Sequence, residues 1–351
     1  MKPLVSILIP SYNAEEWIVD TVESALAQTW SRKEIVIVDD GSNDSTLALA
    51  RRYESKHVCI VSQRNQGGAA ARNTAFAHCQ GDYIQWLDAD DLLAPDKVMK
   101  QMAIAEQCAD DRILGSSAWA YFMYRPSAAR FAPTPLWDDL LPMEWMLRKW
   151  SHNVHMQTAT WLVSRELSSA AGPWNTELLG DDDGEYFARV VLASRGVRFA
   201  PDARVFYRVV GTSRLSYIGR SNRKLEAHFR SIQLQIGHVR SLDDGPRVRA
   251  AIVNYLQTWL PHFYPERLDL VDEMRSLASA VGGELQIASI GGKYALIDMM
   301  LGRVAAKKAQ LHYNAGKTFV LRSWDKLLFA LAEERVNKTG IVRTACKMPD
   351  A

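Results

Sequence analysis

Short apolar runs alternate with helix-like segments along the first quarter of the chain. Four runs are almost entirely apolar, at residues 4–9, 34–38, 58–62 and 83–87. Such runs are typical of strands that are covered on both faces. The segments between them space their apolar residues as helices do, at residues 15–28, 46–53 and 69–79. Strands that alternate with helices of this length form a parallel sheet through right-handed crossovers, so the pattern predicts an α/β fold.

Polar side chains directly follow three of these predicted strands. Tyr12 comes after the first strand, Asp40 after the second and Asp88 after the fourth. The carboxyl ends of parallel strands lie along one edge of a sheet, and open α/β sheets bind their ligands at that edge. We therefore expect these residues to line one binding crevice.

The fourth apolar run leads straight into three carboxylates, Asp88, Asp90 and Asp91. Like charges this close repel each other, and a divalent cation bound among them relieves the repulsion. Asp88 and Asp90 lie on the same side of an extended chain, because side chains in a strand alternate with a period of two. The alternative interpretation is a solvated turn that caps the helix beginning near Pro95.

The remainder of the chain is predicted in coarser terms. Further strands are expected at residues 112–119, 158–164 and 197–210. Residues 120–160 are rich in aromatic residues and proline, which indicates an irregular excursion that faces the substrate. A second acidic stretch at residues 180–185 opens a helix that runs through residue 194. From about residue 217 onward apolar residues recur at helical spacing, so the C-terminal region is predicted to be helical.

Composition narrows the class of protein. The chain is 48% hydrophobic and 23% charged, with a net charge of only +2, which argues against a dedicated nucleic-acid binder. Residues 218–351 carry 20 Lys and Arg against 13 Asp and Glu, whereas the remainder carries 22 against 27. A basic C-terminal third suits contact with an anionic membrane or a phosphorylated acceptor, and a solvated helical surface is the alternative.

The cysteine spacing and the apolar runs predict the cellular compartment of the protein. The four cysteines show no metal-type spacing and are expected to be reduced thiols. The chain opens on a strand rather than a signal peptide, and it has no apolar run long enough for a transmembrane helix. These features predict a cytoplasmic protein, with a location peripheral to the inner face of the membrane left open by the basic region.

Five ordered blocks of the sequence resemble the family 2 glycosyltransferases, which are inverting enzymes with the GT-A fold. The first four blocks are residues 5–13, 34–42, 65–73 and 81–91. The fifth is the acidic pair before a helix at residues 181–185. The resemblance extends over roughly residues 4–216. It implies a Rossmann-like mixed sheet in a catalytic domain of residues 1–217, followed by a mainly helical region of residues 218–351.

The resemblance also implies a nucleotide-sugar donor, with UDP as the expected nucleotide. Pro10, Tyr12 and Asp40 would bind the nucleobase end: Tyr12 offers a ring, and Asp40 accepts a hydrogen bond from a pyrimidine imide. Asp88 would contact the ribose or the metal, and Asp90 would ligate the metal that bridges the two phosphates. Mg²⁺ and Mn²⁺ both favour oxygen ligands, so either ion suits these residues.

Three further residues are expected near the diphosphate. Arg72 is a candidate partner of the diphosphate or of Asp90, although an arginine on a helix is commonly just solvated. Family members often carry a histidine in the segment that closes over the diphosphate, and this chain has Val210 there. Arg208 and Ser213 remain as the expected phosphate contacts in that segment.

The general base is expected in the second acidic stretch. The family motif is a Glu-Asp pair ahead of a helix, and matching Arg189 to the arginine that usually follows places Asp183 at the base position. Asp182 then stands where the family has Glu, and it is the second candidate because the run of three aspartates leaves the register open. The alternative is an acidic helix N-terminus favoured by the helix dipole.

Other classes of protein would need sequence features that differ from those of this chain. A dinucleotide-binding enzyme needs a GxGxxG turn after the first strand, and residues 10–13 read Pro-Ser-Tyr-Asn instead. A nucleotidyltransferase would usually carry a glycine-rich basic loop there. A non-catalytic sugar-nucleotide-binding or scaffolding protein is the main alternative. For an enzyme, the expected acceptor is a saccharide, a lipid-linked saccharide or another hydroxyl compound in cell-surface polysaccharide or glycoconjugate assembly, and homo-oligomerisation is left open.

Overall fold

One mixed sheet forms the centre of the molecule. The computed structural model describes residues 2–209, 221–287 and 292–339. Within these ranges eight strands pair in the order β3-β2-β1-β4-β7-β6-β8-β5. The strands are β1 Val5–Ser11, β2 Lys33–Asp39, β3 Val58–Ser62, β4 Tyr83–Trp86, β5 Leu92–Leu93, β6 Ile113–Phe122, β7 Leu162–Ser164 and β8 Gly196–Arg208.

The first four long strands are parallel, as their apolar runs predict. β1 pairs in parallel with both β2 and β4, and β2 pairs in parallel with β3. β7 then runs antiparallel to β4 and to β6, while β6 and β8 are parallel. The mixed sheet is therefore confirmed, and the carboxyl ends of β1, β2 and β4 lie next to one another.

Helices cover the sheet and extend beyond it. Those of the first 200 residues are α1 Ile18–Leu26, α2 Thr46–Arg51, α3 Gly68–His78, α4 Lys97–Cys108, α5 Pro142–His152, α6 Arg165–Ala171 and α7 Asp182–Ala193. The C-terminal region contributes α8 Asn222–Arg240, α9 Pro246–Phe263, α10 Leu268–Ala280 and α11 Ala295–Thr339, which confirms its helical character. Gly302 interrupts α11 with a non-helical backbone.

Two predictions for the middle of the chain were wrong in detail. The excursion at residues 120–160 contains α5, whose Trp145, Met146 and Trp150 are buried on one face. The predicted strand at residues 158–164 begins with a 3-10 turn, Thr158–Thr160, and only Leu162–Ser164 pairs in the sheet. In the first of these places, aromatic residues and prolines hid the helical period.

The C-terminal helices share their core with the sheet. One continuous cluster of buried apolar side chains includes Ile7 and Ile37 of the sheet together with Ile232 of α8 and Leu256 of α9. α8 packs on α7, and α9 packs on α5. The domain boundary at residues 217 and 218 stays a prediction. Within the described residues, no helix combines the length and the apolar character needed to cross a membrane.

Candidate active site

The ends of β1 and β2 present the two residues expected at the nucleobase. Tyr12 lies just beyond β1, and its side chain is 48% exposed. Asp40 is buried, and its carboxylate accepts hydrogen bonds from Gln63 Nε2 at 2.8 Å and from the backbone amides of Gln66 at 2.9 Å and Gly67 at 2.8 Å. Asp40 therefore holds the loop before α3 in place, beside an exposed aromatic ring.

The three carboxylates after β4 have separate environments. Asp91 is fully buried, and it accepts hydrogen bonds from the backbone amide of Arg208 at 2.8 Å and from Gln157 Nε2 at 2.5 Å. Asp88 and Asp90 are each only partly buried. Asp91 is thus a structural anchor, and Asp88 and Asp90 are the two carboxylates that remain partly exposed.

Arg72 joins the first acidic motif to the second. Its guanidinium donates to Asp88 Oδ1 at 2.7 Å and to Asp182 Oδ2 at 2.9 Å. The side chain is almost completely buried, and its cationic carbon lies 4.5 Å from the ring centroid of Trp174. The two carboxylates keep the guanidinium charged and raise the pKa of Arg72 against the desolvation that opposes its charge. Two motifs that are 94 positions apart in sequence therefore meet at one cation.

Arg72 was expected at the diphosphate or at Asp90. In the structure its guanidinium binds Asp88 and Asp182, and its contact with the diphosphate stays a prediction. Its neighbour Asn73 fixes the segment before α7: Asn73 Nδ2 donates to the Trp174 carbonyl at 2.9 Å, and the Trp174 amide donates to Asn73 Oδ1 at 2.8 Å. The start of α3 is therefore bound to both sides of the candidate site.

Asp182 and Asp183 have different surroundings at the start of α7. Asp182 is buried, and burial raises its pKa to about 6 although Arg72 lowers it. Asp183 is only partly buried, with Oδ1 accepting from the backbone amide of Gly184 at 2.9 Å and Oδ2 accepting from Thr158 Oγ1 at 3.4 Å. Asp183 is therefore the carboxylate of this pair that a substrate can reach.

Helix α8 holds the first residue of the acidic stretch. Asp181 adopts a left-handed backbone with φ of 55°, and its carboxylate accepts from Ser231 Oγ at 2.6 Å and from Gln235 Nε2 at 2.9 Å. A side chain at Gly184 would have its Cβ only 2.2 Å from Asp181 Oδ1, so glycine is needed there. Local sequence patterns carry no sign of these contacts, which fix the direction in which α7 begins.

Gln157 and Thr158 make a second connection between the acidic motifs. Gln157 donates to Asp91, and the adjacent Thr158 donates to Asp183. Gln157 also accepts a hydrogen bond from the Ala159 amide at 2.6 Å, which fixes its side chain at the start of the 3-10 turn. This turn therefore sets the distance between the end of β4 and the start of α7.

Two residues of the 207–216 segment were expected to contact phosphate, and the described part of the chain includes one of them, Arg208. Arg208 is buried beneath the acidic turn, where its Nε donates to the Asp90 carbonyl at 2.7 Å and its Nη2 donates to Asp20 at 3.1 Å. Its role as a phosphate contact stays a prediction. Ser213 lies outside the described residues. Pro10 is part of β1 and is half-buried.

A group of aromatic rings lies on the side of Asp183. Trp119 is 5.0 Å from the ring of His155 and 4.9 Å from Tyr121, and Tyr121 is 5.3 Å from Tyr207. Burial lowers the pKa of His155, and the nearby charge of Asp183 opposes this shift. The aromatic-rich composition of residues 120–160 was the sequence signal for such a surface, but the composition did not identify the rings.

The donor set after β4 fits a divalent cation that is shared with a ligand. The described residues contain no group of three or more His, Cys, Asp or Glu side chains that could hold a metal ion alone. Mg²⁺ is commonly bound by one or two carboxylates together with substrate phosphates and water. Asp90 and the partly exposed Asp88 match that smaller set of oxygen ligands.

Comparison with known sequences finds similarity in the first part of the chain. The family model of Glycosyl transferase family 2 matches residues 6–161. Over 111 residues the chain is 47% identical to chondroitin synthase of Escherichia coli, covering 31% of this chain and 15% of that protein. Over 104 residues it is 41% identical to UDP-Glc:alpha-D-GlcNAc-diphosphoundecaprenol beta-1,3-glucosyltransferase WfaP of Escherichia coli, covering 29% of this chain and 41% of that protein. The chain thus matches less than half the length of either relative.

Solved structures confirm the fold. S. aureus TarS 1-349 in complex with UDP-GlcNAc has a TM-score of 0.57 at 17% identity, covering 84% of this chain and 95% of that chain. Mannosyltransferase PcManGT from Pyrobaculum calidifontis in complex with GDP-Man and Mn²⁺ has a TM-score of 0.50 at 19% identity, covering 94% of this chain and 87% of that chain. The mixed sheet with its flanking helices is the GT-A fold of such transferases.

His228 on α8 makes stability depend on pH at this site. Its ring is 2% exposed, neither ring nitrogen has a hydrogen-bond partner among the described residues, and Nδ1 is 4.0 Å from Asp181 Oδ2. Burial lowers the pKa of His228 to about 4. The unfolded chain, with an ordinary pKa near 6.5, then binds more protons between these values, so the free energy of unfolding falls as the pH drops through that window.

We expect His228→Leu to remove this part of the pH dependence. Between pH 7 and pH 5 the wild-type free energy of unfolding should fall by on the order of 2 kcal/mol more than that of the variant. Urea unfolding at the two pH values measures the difference, and the contribution of Asp182 cancels because both proteins contain it. His152→Leu, at the exposed end of α5, is the matched control. Equal slopes for wild type and His228→Leu would contradict the assignment.

Proposed function

We propose that this chain, whose residues 6–161 belong to glycosyl transferase family 2, is an inverting glycosyltransferase that moves a sugar from a nucleoside diphosphate to a hydroxyl acceptor. The observation that carries the proposal is the contact of one buried guanidinium, that of Arg72, with both Asp88 and Asp182. A donor-binding motif and a motif that supplies a base must lie side by side in such an enzyme, and Arg72 holds them there.

The donor would lie across the ends of β1, β2 and β4. The exposed ring of Tyr12 would pack against the nucleobase, and Asp40 would accept from its imide group while keeping the loop after β3 in position. Asp90, with Asp88, would hold a divalent cation beside the diphosphate. When bound, such a cation supplies positive charge that stabilises the departing phosphate oxygens.

Asp183 would act as the general base. Its carboxylate takes the proton from the acceptor hydroxyl, the acceptor oxygen forms a bond to the anomeric carbon, and the bond from that carbon to the diphosphate oxygen breaks. The nucleoside diphosphate leaves from the opposite face, so the anomeric configuration inverts. Asp182 is less suited to this role, because it is buried and its Oδ2 is engaged by Arg72.

The acceptor would approach along the aromatic rings next to Asp183. Tyr121 is 50% exposed, and it packs on Trp119, which in turn contacts His155. Sugar rings have an apolar face that packs on aromatic side chains, while their hydroxyl groups point outward. This surface supports a saccharide acceptor, free or lipid-linked.

The names of the relatives support a setting in surface-polysaccharide assembly. WfaP is described by its name as a glucosyltransferase that uses UDP-Glc and a diphosphoundecaprenol-linked sugar. TarS has been solved with UDP-GlcNAc. We propose a UDP-sugar donor for this chain and action on the cytoplasmic side of the membrane.

Asp183→Asn should reduce turnover and leave donor binding intact. General base catalysis typically contributes about 10²–10⁴-fold, so release of the nucleoside diphosphate should slow by roughly that factor. The measurement is release of UDP from a panel of UDP-sugars with a saccharide acceptor, alongside the dissociation constant for the donor.

Asp182→Asn is the matched variant for this test, because it makes the same change one position away. It should weaken the positioning of Arg72 and lower stability, since it removes one of the two carboxylates that balance a buried cation. Full turnover by Asp183→Asn, combined with complete inactivity of a folded Asp182→Asn, would transfer the base role to Asp182 and overturn our assignment.

Asp90→Asn should abolish the metal-dependent part of donor binding. A ligand that binds only the folded state raises the unfolding temperature, so UDP-glucose with Mn²⁺ should stabilise the wild type more than UDP-glucose with EDTA. In Asp90→Asn the two shifts should be equal. Asp202→Asn changes an exposed carboxylate between Ala200 and Arg204, where the pairing of β8 with β6 is irregular, and should behave as wild type. A full Mn²⁺-dependent shift in Asp90→Asn would show that the cation is held elsewhere.

A further inference from the structure

Most of the exposed apolar surface of this protein belongs to one helix. Among the described residues, 20 large hydrophobic side chains are exposed, and 13 of them lie between Leu296 and Leu331, nearly all in α11. Several are exposed over most of their surface, including Met299 at 77% and Phe319 at 73%. Large contiguous apolar surfaces on a folded protein mark contact sites for a partner or a membrane.

In the second half of α11, five exposed apolar residues share one side of the helix. The apolar face of α11 consists of Tyr313, Val320, Trp324, Leu327 and Leu331, which recur at intervals typical of one helix face and are all exposed. A surface helix of a globular protein normally turns such a face toward the core. Here the same face is exposed.

The opposite side of the helix binds the rest of the protein. Asp325 accepts hydrogen bonds from the Tyr124 amide at 2.9 Å and from Arg125 Nε at 2.6 Å. One turn further on, Phe329 packs on the ring of Tyr124, with 6.3 Å between ring centroids. These contacts fix the orientation of the helix, so its apolar face points away from the body.

The charge of this helix favours an anionic occupant. α11 contains eight Lys and Arg side chains and four acidic ones, of which Asp298 and Asp325 precede the pair Glu333 and Glu334 near its end. The first two carboxylates are already paired, Asp298 with Arg303 at 3.2 Å and Asp325 with Arg125 at 2.6 Å. Lys317 is exposed beside the apolar face, and Lys308 and Lys326 are exposed on other sides of the helix. A second copy of the chain would bring these like charges together, whereas an anionic lipid surface would neutralise them.

We propose that α11 lies in the plane of an anionic membrane surface, with its apolar face inserted among the lipid headgroups and its excess of basic side chains attracted to the lipid phosphates. Trp and Tyr side chains are suited to that depth because one end of the ring is apolar and the other is polar. Long lysine side chains cover apolar surface while their ammonium groups stay in water. This surface goes beyond the proposed transferase activity and does not depend on it.

Vesicle flotation with the purified full chain tests the proposal. The wild type should float with vesicles that contain phosphatidylglycerol, float less with pure phosphatidylcholine, and bind less as salt is raised, because exposed charges are screened. The double variant Trp324→Glu with Leu327→Glu should bind anionic vesicles at least about tenfold more weakly, since it places two anions in the inserted face. Leu242→Glu is the matched control: it introduces the same charge at a leucine that is 63% exposed outside α11.

Three results would overturn the proposal. The first is no flotation of the wild type, and the second is equal flotation of the double variant. The third is a wild-type dimer in light scattering that the double variant dissociates without vesicles, which would assign the apolar face to a second copy. UDP release measured without vesicles separates this test from the proposed function. A wild type that binds vesicles but never turns over a sugar nucleotide would refute only the transferase activity.

Discussion

A buried guanidinium shared by two distant carboxylates is the interaction on which the candidate site depends. Removing a charge from water is costly unless it is paired and hydrogen-bonded, and Arg72 meets both conditions only when Asp88 and Asp182 are in place. The ring of Trp174 covers the guanidinium, and Asn73 binds the backbone of that tryptophan. The end of β4 and the start of α7 are therefore fixed relative to each other by the start of α3.

This arrangement separates the roles of two adjacent aspartates. Asp182 is directed inward to Arg72, and its burial raises its pKa to about 6. Asp183 stays partly exposed, and its carboxylate accepts a hydrogen bond from the hydroxyl of Thr158. Asp181 is held by Ser231 of α8, so the helical C-terminal region contributes to the geometry of the catalytic part.

The sequence predicted the sheet and the positions of polar residues at its edge, because both follow from local periodicity. The apolar runs alone place Tyr12, Asp40 and Asp88 at the ends of their strands, where the structure has them. The partner of Arg72 could not be predicted, because Asp182 is 110 positions away in sequence and an alanine-rich helix gives no sign of a buried charge.

Local sequence patterns did not predict which side chains are buried and which are exposed. Asp91 looked equivalent to its neighbours, yet it is fully buried and anchors Gln157. α5 was missed because its tryptophans and its initial proline resembled an irregular segment. The helical spacing of α11 was visible in the sequence, but its exposed apolar face was not, because exposure depends on which side Asp325 attaches to the body.

The kinetics of Arg72→Lys test most directly whether the guanidinium of Arg72 positions both acidic motifs. Lysine keeps the positive charge but is a single point donor, so it cannot hold both carboxylates in the planar geometry of a guanidinium. We predict a folded protein whose UDP release with acceptor is slowed by about tenfold or more and whose donor affinity is also reduced, because both halves of the cleft are positioned by this group. Wild-type turnover and wild-type donor affinity in Arg72→Lys would contradict the account.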